Sequence, residues 1–375
     1  MSTASPINIV HLTIYRDLPA GIRKQIKYEH EASSHLDNAK WTSVAFHNGQ
    51  RIESFEQAIP GLFRPILLRA LFGWITAMRL SRKYDFVLVR HMTFDPFALL
   101  FAPFIPNRVS VHHSKEVEEL PLIRPGMSGA AAAMLERLTG RFAVRCSAGV
   151  LGVTTEIARY ECETRAPGKP FSAYPNGIDL NAVRVADDRR SSHEVHVVFI
   201  CETFSGWHGL DRLLDAVAKA DHLPPGLVVH LVGNLSRQQQ AQLAALGERR
   251  SAVLVHGFLD APAYRDILAI SDLGLGSLAL DRQNLREGAT LKVRELLAMG
   301  IPVYSGHRDT ALPESFPYYV EQPAVDLQQM HALAMRMKNV SRSHVREASG
   351  PYIDKRSAMQ HVADWLRDTF FKGVS

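Results

Sequence analysis

The stretch Arg286-Glu287-Gly288-Ala289-Thr290-Leu291-Lys292-Val293-Arg294-Glu295-Leu296-Leu297-Ala298-Met299-Gly300-Ile301-Pro302-Val303-Tyr304 reads as loop, helix, tight turn and strand. Thr290 is a good N-cap residue, residues 291–299 are good helix formers, and Gly300 fits the position that ends a helix. Ile301 to Tyr304 then form a short apolar strand. Gly288, Ala289, Thr290 and Leu291 therefore bring small side chains and backbone amides to a helix N-terminus. Such a terminus carries roughly half a positive charge and receives anions. Lys292, in the first turn, adds a full one.

Glu287 and Glu295 bracket this helix start, with seven residues between them. A phosphate seated there would have Glu287 on one side. Glu295, more than a turn further in, would face a sugar hydroxyl on the other. The pattern suits a diphosphate with a sugar at each end, which is a nucleotide sugar. The plainer reading is an ordinary helix–strand corner carrying two solvated glutamates.

Glu-x7-Glu followed by Leu-Ala-Met-Gly-Ile-Pro-Val resembles the nucleotide-sugar signature of the family 4 retaining glycosyltransferases, which have the GT-B fold. Pro175-Asn176-Gly177-Ile178-Asp179 is similar to the segment that closes the first domain in that family. The resemblance implies an α/β chain with two facing Rossmann-like domains and a cleft between them. Residues 1–182 would bind the acceptor and 183–354 the nucleotide sugar. A last helix at about 355–375 would pack back on the first domain.

Composition agrees with two globular domains. The 375 residues are 46% apolar and 22% charged, enough for a sizeable core without disulfides or metals. Cys146, Cys162 and Cys201 are scattered and form no paired motif, which fits a reducing cytosol. No secretory leader pattern is visible, and no apolar run reaches the ~20 residues of a membrane span. Residues 1–185 carry a net +6 and the remainder −1, so the excess basicity of the chain lies in its first half. That half calls for an anionic partner. Arg64, Arg69, Arg79 and Arg82 fall within an arc of about 140° around the apolar helix of residues 61–80. Such a helix either lies on an anionic membrane surface or is a core helix whose arginines snorkel to water. Nucleic acid is not implied, because no stacking platform or recognition motif accompanies the charge.

Along the chain, strand 7–14 leads through a turn containing Gly21 into a helix, which is how a doubly wound domain opens. Strand 108–112 ends in His112-His113. Alternation along a strand sends the two rings to opposite faces, so only one can serve a site at the strand end. His113, farther out, is preferred over His112, and a structural histidine is the alternative. Residues 183–194 read as linker and His196–Cys201 as the first strand of the second domain.

The resemblance adds roles to these positions. Gly21 and His112 or His113 would line the acceptor side, with His113 touching the transferred sugar. Gly257 and Phe258, at a later strand end, would read the nucleobase. Amides near Ala289 to Leu291, with Gly288 and Lys292, would hold the diphosphate, Glu295 the ribose, and Glu287 the donor sugar. The family has an arginine at the end of the first strand of the second domain and a lysine before a following glycine. Here the lysine place holds His208, and no arginine stands at Cys201, Glu202 or Thr203. Lys292, Arg212 or Arg286 would have to compensate.

The sequence shows no metal-ligand spacing, and the reading calls for no cofactor and no metal. The expected activity is transfer of a sugar from a nucleotide sugar to a glycan or lipid-linked glycan, in the cytoplasm or at the inner membrane face. The alternatives are a non-catalytic nucleotide-sugar-binding subunit and a sugar-nucleotide epimerase.

Overall fold

The structure is a computed structural model that describes residues 5–93, 95–124, 126–260 and 262–371. It divides into two compact units. Residues Met1–Asp179 and Asp354–Ser375 form the first, and Leu180–Ile353 the second.

The first unit runs β1 (Ile7–Ile14), α1 (Ala20–Ala32), β2 (Ala39–His47), β3 (Glu56–Ala58), α2 (Ile66–Leu80), β4 (Phe86–Arg90), α3 (Ala98–Phe101), β5 (Arg108–His112), α4 (Glu116–Ile123), α5 (Met127–Arg145), β6 (Gly149–Gly152), α6 (Thr155–Arg165) and β7 (Phe171–Ala173). Its sheet has the order β3-β2-β1-β4-β5-β6-β7, with every pairing parallel. The chain winds outward from β1 to β3, then crosses back to lay β4 on the other side of β1. β1 and β4 therefore flank the point where the winding reverses, and open α/β sheets bind ligands beyond the strand ends there.

The second unit repeats the scheme with β8 (Val195–Thr203), α7 (Leu210–Lys219), β9 (Leu227–Asn234), α8 (Arg237–Ala244), β10 (Val253–Gly257), α9 (Arg265–Ile270), β11 (Leu273–Leu275), α10 (Leu291–Ala298), β12 (Val303–Ser305), β13 (Tyr319–Glu321), α11 (Leu327–Met337) and α12 (Arg342–Ile353). The order β10-β9-β8-β11-β12-β13 places its reversal between β8 and β11. Leu210, Leu213, Leu214 and Val217 form the buried stripe of α7, at the spacing one helix face requires.

The last helix, α13 (Lys355–Phe370), belongs to the first unit. Met359, Val362, Ala363 and Leu366 face its sheet in one core with Ile9, Leu88, Val109 and Leu151. Burying side chains the size of Met359, Val362 and Leu366 contributes roughly 1.5–3 kcal/mol each. The chain leaves this unit beside the place where it returns. Ile178 and Asp354 form a parallel bridge, and the Lys355 amide donates to the Ile178 carbonyl at 2.8 Å. A Cβ on Gly177 would lie 2.6 Å from Lys355 Cα, so this crossing requires the glycine.

Some boundaries differ from the sequence expectation. The apolar run of residues 273–278 is strand only as far as Leu275, and the Leu278 amide turns away to the His208 carbonyl at 2.9 Å. Gly21 is not in a turn. It is the second residue of α1, exposed, with open space where a Cβ would stand. The helix over 61–80 is split: a short turn at Gly61–Phe63 precedes α2, whose later half is core through Phe72, Gly73, Trp74 and Ala77.

Candidate functional site

In the second unit, α10 starts as its sequence requires. Thr290 is its N-cap in extended conformation and makes no side-chain cap bond; Gly300, at φ +80°, ends it. No acidic residue lies in the first turn, where Lys292 stands instead. A cation there opposes the helix dipole, at a cost of about 0.3–1 kcal/mol, unless an anion answers both. The Lys292 ammonium crosses to the end of β8, donating to Cys201 Sγ at 2.9 Å and lying 5.1 Å from the Phe199 ring centre. Thr290 Oγ1 is buried and has no hydrogen-bond partner among the described residues.

The segment before α10 is held by the loop after β12. Glu287 and Arg308 form a parallel bridge. The Gly288 amide donates to the Arg308 carbonyl at 2.8 Å, and the Arg308 amide to the Arg286 carbonyl at 3.0 Å. Thr310 Oγ1 lies 3.5 Å from Glu287 Oε2. His307 fills the space under Gly288, and a Cβ on that glycine would come 2.6 Å from His307 Cδ2. His307 Nδ1 donates to the Ser277 carbonyl at 3.0 Å, which leaves Nε2 as an acceptor, buried and without a protein partner. Burial, first, holds the His307 ring below the usual histidine range. Arg294 and Asp309 form a fully buried ion pair that fixes this loop to α10.

His208 closes a short turn at Gly206–His208, just before Gly209 (φ +74°) and α7. Its Nδ1 accepts the Ser205 amide at 2.9 Å, so the neutral ring carries its proton on Nε2. Burial, and then the Lys292 charge, push its pKa down to about 3. His208 is thus a neutral donor and does not replace the charge of a lysine. Arg212 is committed to Asp281 at 2.7 Å, and Arg282 to Asp211 at 2.6 Å. Lys292, another of the expected compensating groups, stands in the first turn of α10 itself. Gly257 (φ +70°) ends β10, and Phe258 beside it is 58% exposed.

In the first unit the two histidines at the end of β5 part as alternation demands. His112 is fully buried: Nε2 meets Ser110 Oγ at 2.8 Å, Nδ1 meets Glu116 at 2.9 Å, and the ring stacks on His91 at 4.5 Å. Its assignment to the acceptor side is therefore corrected, since it lies beneath the strand ends and exposes no atom to a ligand. Burial pushes its pKa down to about 4. His112, Glu116 and Glu161 offer ligand atoms within 4.8 Å of one another, a grouping that no sequence spacing announced. Arg165 serves these carboxylates as counter-ion, reaching Glu161, Glu136 (2.5 Å) and Glu116 (3.5 Å). His113 takes the other direction and lines a cavity of about 650 Å³ with Tyr15, Arg16 and Arg90. Its Nε2 is buried without a protein partner, and burial with the nearby Arg90 charge holds the ring neutral.

No family model matches the chain, and no curated protein matches it. Solved structures do. The lipopolysaccharide outer core galactosyltransferase WaaB, in its apo form, matches with a TM-score of 0.64 at 12% identity, over 98% of this chain and 100% of that one. HepE from Anabaena, in complex with UDP and glucose, matches with a TM-score of 0.59 at 15% identity, over 96% and 100%. The fold is GT-B. A Listeria monocytogenes protein whose description as a UDP-N-acetylglucosamine 2-epimerase is provisional matches with a TM-score of 0.51 at 15% identity, over 98% of each chain.

Within this GT-B chain, Gly288, Ala289, Thr290, Leu291, Lys292, Glu287, Glu295 and His208 all belong to segments around α10 and the end of β8, at the reversal point of the second sheet. His113 belongs to the reversal point of the first. Sequence reasoning missed His307 and Cys201 as site neighbours. His307 follows a strand end, as His113 does, and the same rule finds it. Cys201 carries no such signal, because its role comes from the reach of Lys292.

Proposed function

We propose that this protein is a retaining glycosyltransferase that moves a sugar from a nucleotide-diphosphate sugar to a glycan or lipid-linked glycan. One observation carries the reading. The start of α10 combines an uncapped helix N-terminus, a lysine opposing the dipole and an unpartnered Thr290 hydroxyl, all of which a diphosphate would satisfy. The amides near Ala289 to Leu291 and the Lys292 ammonium hold the diphosphate, and His208 Nε2–H donates a further bond. Glu295 accepts the ribose hydroxyls and Glu287 positions the donor sugar. As the bond from the anomeric carbon to the diphosphate breaks, negative charge grows on the phosphate beside Lys292, where preorganised donors are most effective. The acceptor hydroxyl attacks from the leaving-group face, its oxygen bonds to the anomeric carbon, and its proton passes to the departing phosphate. Configuration is retained and no metal is called for.

Contact with an anionic membrane belongs to the same proposal. It is supported by Leu62, Ile66 and Leu67, exposed next to Arg64 and Arg69. No helix among the described residues is long and apolar enough to cross a membrane. A non-catalytic nucleotide-sugar-binding subunit is the second reading, favoured by the neutral His208 and the engaged Arg212. A panel of nucleotide sugars tested by thermal shift, followed by assay of nucleoside diphosphate release with and without acceptor, separates the two. A true donor raises the melting temperature. Stabilisation without turnover supports the subunit, and a panel that shifts nothing removes both.

A further inference from the structure

The cavity at the β1–β4 end of the first unit has chemistry that neither the fold nor the donor site explains. Four arginines reach it from four segments: Arg16 after β1, Arg69 on α2, Arg90 at the end of β4 and Arg124 after α4. Asp95, Glu116 and Glu119 share its wall; each accepts hydrogen bonds from other groups, and the Glu116 and Glu119 charges also act on Arg90. Asp95 accepts from the Trp74 indole at 2.5 Å and the Phe97 amide at 2.9 Å. Glu116 accepts from His112, and Glu119 from Ser114 Oγ at 2.5 Å. Arg90 lies over the Tyr15 ring at 5.4 Å, and Arg69 donates to the Arg64 carbonyl at 3.1 Å. Among the described residues Arg16 pairs with Asp17 alone, at 3.4 Å, with both side chains 77% exposed, so water screens the pair. Arg124 makes no ion pair among the described residues.

Arg16 and Arg69 are also close enough to repel. Burial first, and then the Arg16 charge, lower the Arg69 pKa, with the Asp17 charge acting the other way. Like charges gathered around a cavity weaken the empty protein and are relieved by an anion. Several guanidinium forks fit the oxygens of a phosphate better than any other common anion. One edge of the same cavity is apolar: Ile66 and Leu67, which line it, are 65% and 52% exposed. Clusters of bare aliphatic side chains beside a charged cavity mark a binding surface. At about 650 Å³ the cavity takes a head group and the first part of a chain.

We propose that this cavity binds a phosphate group carried on a long apolar chain, with the phosphate among Arg16, Arg69, Arg90 and Arg124 and the chain leaving over Ile66 and Leu67. The assignment deepens the transferase reading by naming the acceptor class as a lipid-linked phosphate, and its use by the enzyme rests on that reading. The binding itself does not.

The test is calorimetric titration of the full chain with monomeric dodecyl phosphate, with dodecyl maltoside as the uncharged amphiphile and inorganic phosphate as the bare head group. Dodecyl phosphate should bind one to one, at least tenfold more tightly than either control. Arg69→Gln with Arg124→Gln should weaken it tenfold or more while leaving the thermal shift by a nucleotide sugar unchanged. Leu67→Gln should weaken dodecyl phosphate but not inorganic phosphate. Equal binding of the maltoside, wild-type affinity in the double variant, or binding to phosphatidylglycerol vesicles without binding of the monomer would each overturn the proposal. Dodecyl phosphate binding in a protein that no nucleotide sugar stabilises would leave this site standing and remove the transferase.

Discussion

Replacing Lys292 by methionine tests the central electrostatic argument. Methionine keeps most of the aliphatic stem and removes the ammonium, which meets Cys201 at 2.9 Å and lies 5.1 Å from the Phe199 ring centre. In the free protein the charge sits in the first turn of α10, where it opposes the dipole by about 0.3–1 kcal/mol. The variant should therefore unfold at the same denaturant concentration as the wild type or slightly higher. With a diphosphate bound the sign reverses, because a hydrogen bond to a charged group is worth about 1.5–3 kcal/mol. Donor affinity should fall roughly ten- to 150-fold at about 1.4 kcal/mol per decade. A second readout is independent of donor. Lys292 is the cause, after burial, of the low pKa of His208 (about 3), so that pKa should rise in the variant. Calorimetric titration with the donor and NMR titration of the histidine ring read the two effects. A variant that binds donor within twofold of wild type would refute the assignment of the diphosphate to this helix start.

Other outcomes follow from the same structure. Glu295→Ala should raise the donor KM strongly, whereas Glu287→Gln should lower kcat, and steady-state kinetics that leave both unchanged remove the two glutamates from the mechanism. Asp309→Ala strands Arg294 in a fully buried position, which should cost about 3–5 kcal/mol in urea unfolding and loosen the Gly288 segment. The third concerns pH. Burial, and then the neighbouring Glu116 charge, raise the Glu161 pKa to about 8, so between about pH 4.5 and 8 the folded state holds a proton that the unfolded state has lost. The stability this group contributes is full below pH 4.5 and is lost as the pH rises through 8. Glu161→Gln should flatten that part of the stability–pH curve measured by urea unfolding, and an unchanged slope would refute the account.

Much of the second unit is legible from local pattern. Thr290 as cap, Gly300 as stop and the apolar run after it are signals within a few residues of each other, and each element appears in the fold where its signal lies. The outer strands β2, β3, β7 and β13 and the Pro351-containing α12 went unread. Three of them are three-residue strands, too short for alternation to show, and a proline inside a helical run argues locally against the helix. The split between His112 and His113 was available from alternation, but which ring would be buried depended on α5 and α6 delivering Glu136, Glu161 and Arg165 beneath the strand ends.

The amino-acid order alone established two α/β halves, the helix that begins at Thr290 with its flanking glutamates, and a basic first half, because capping, periodicity and charge are properties of neighbours in the chain. It could not establish that Lys292 meets Cys201, that His208 is a neutral donor, or that Arg16, Arg69, Arg90 and Arg124 share one cavity. Those juxtapositions join residues tens of positions apart, and they exist only once the reversal of strand order has laid β4 against β1 and β11 against β8.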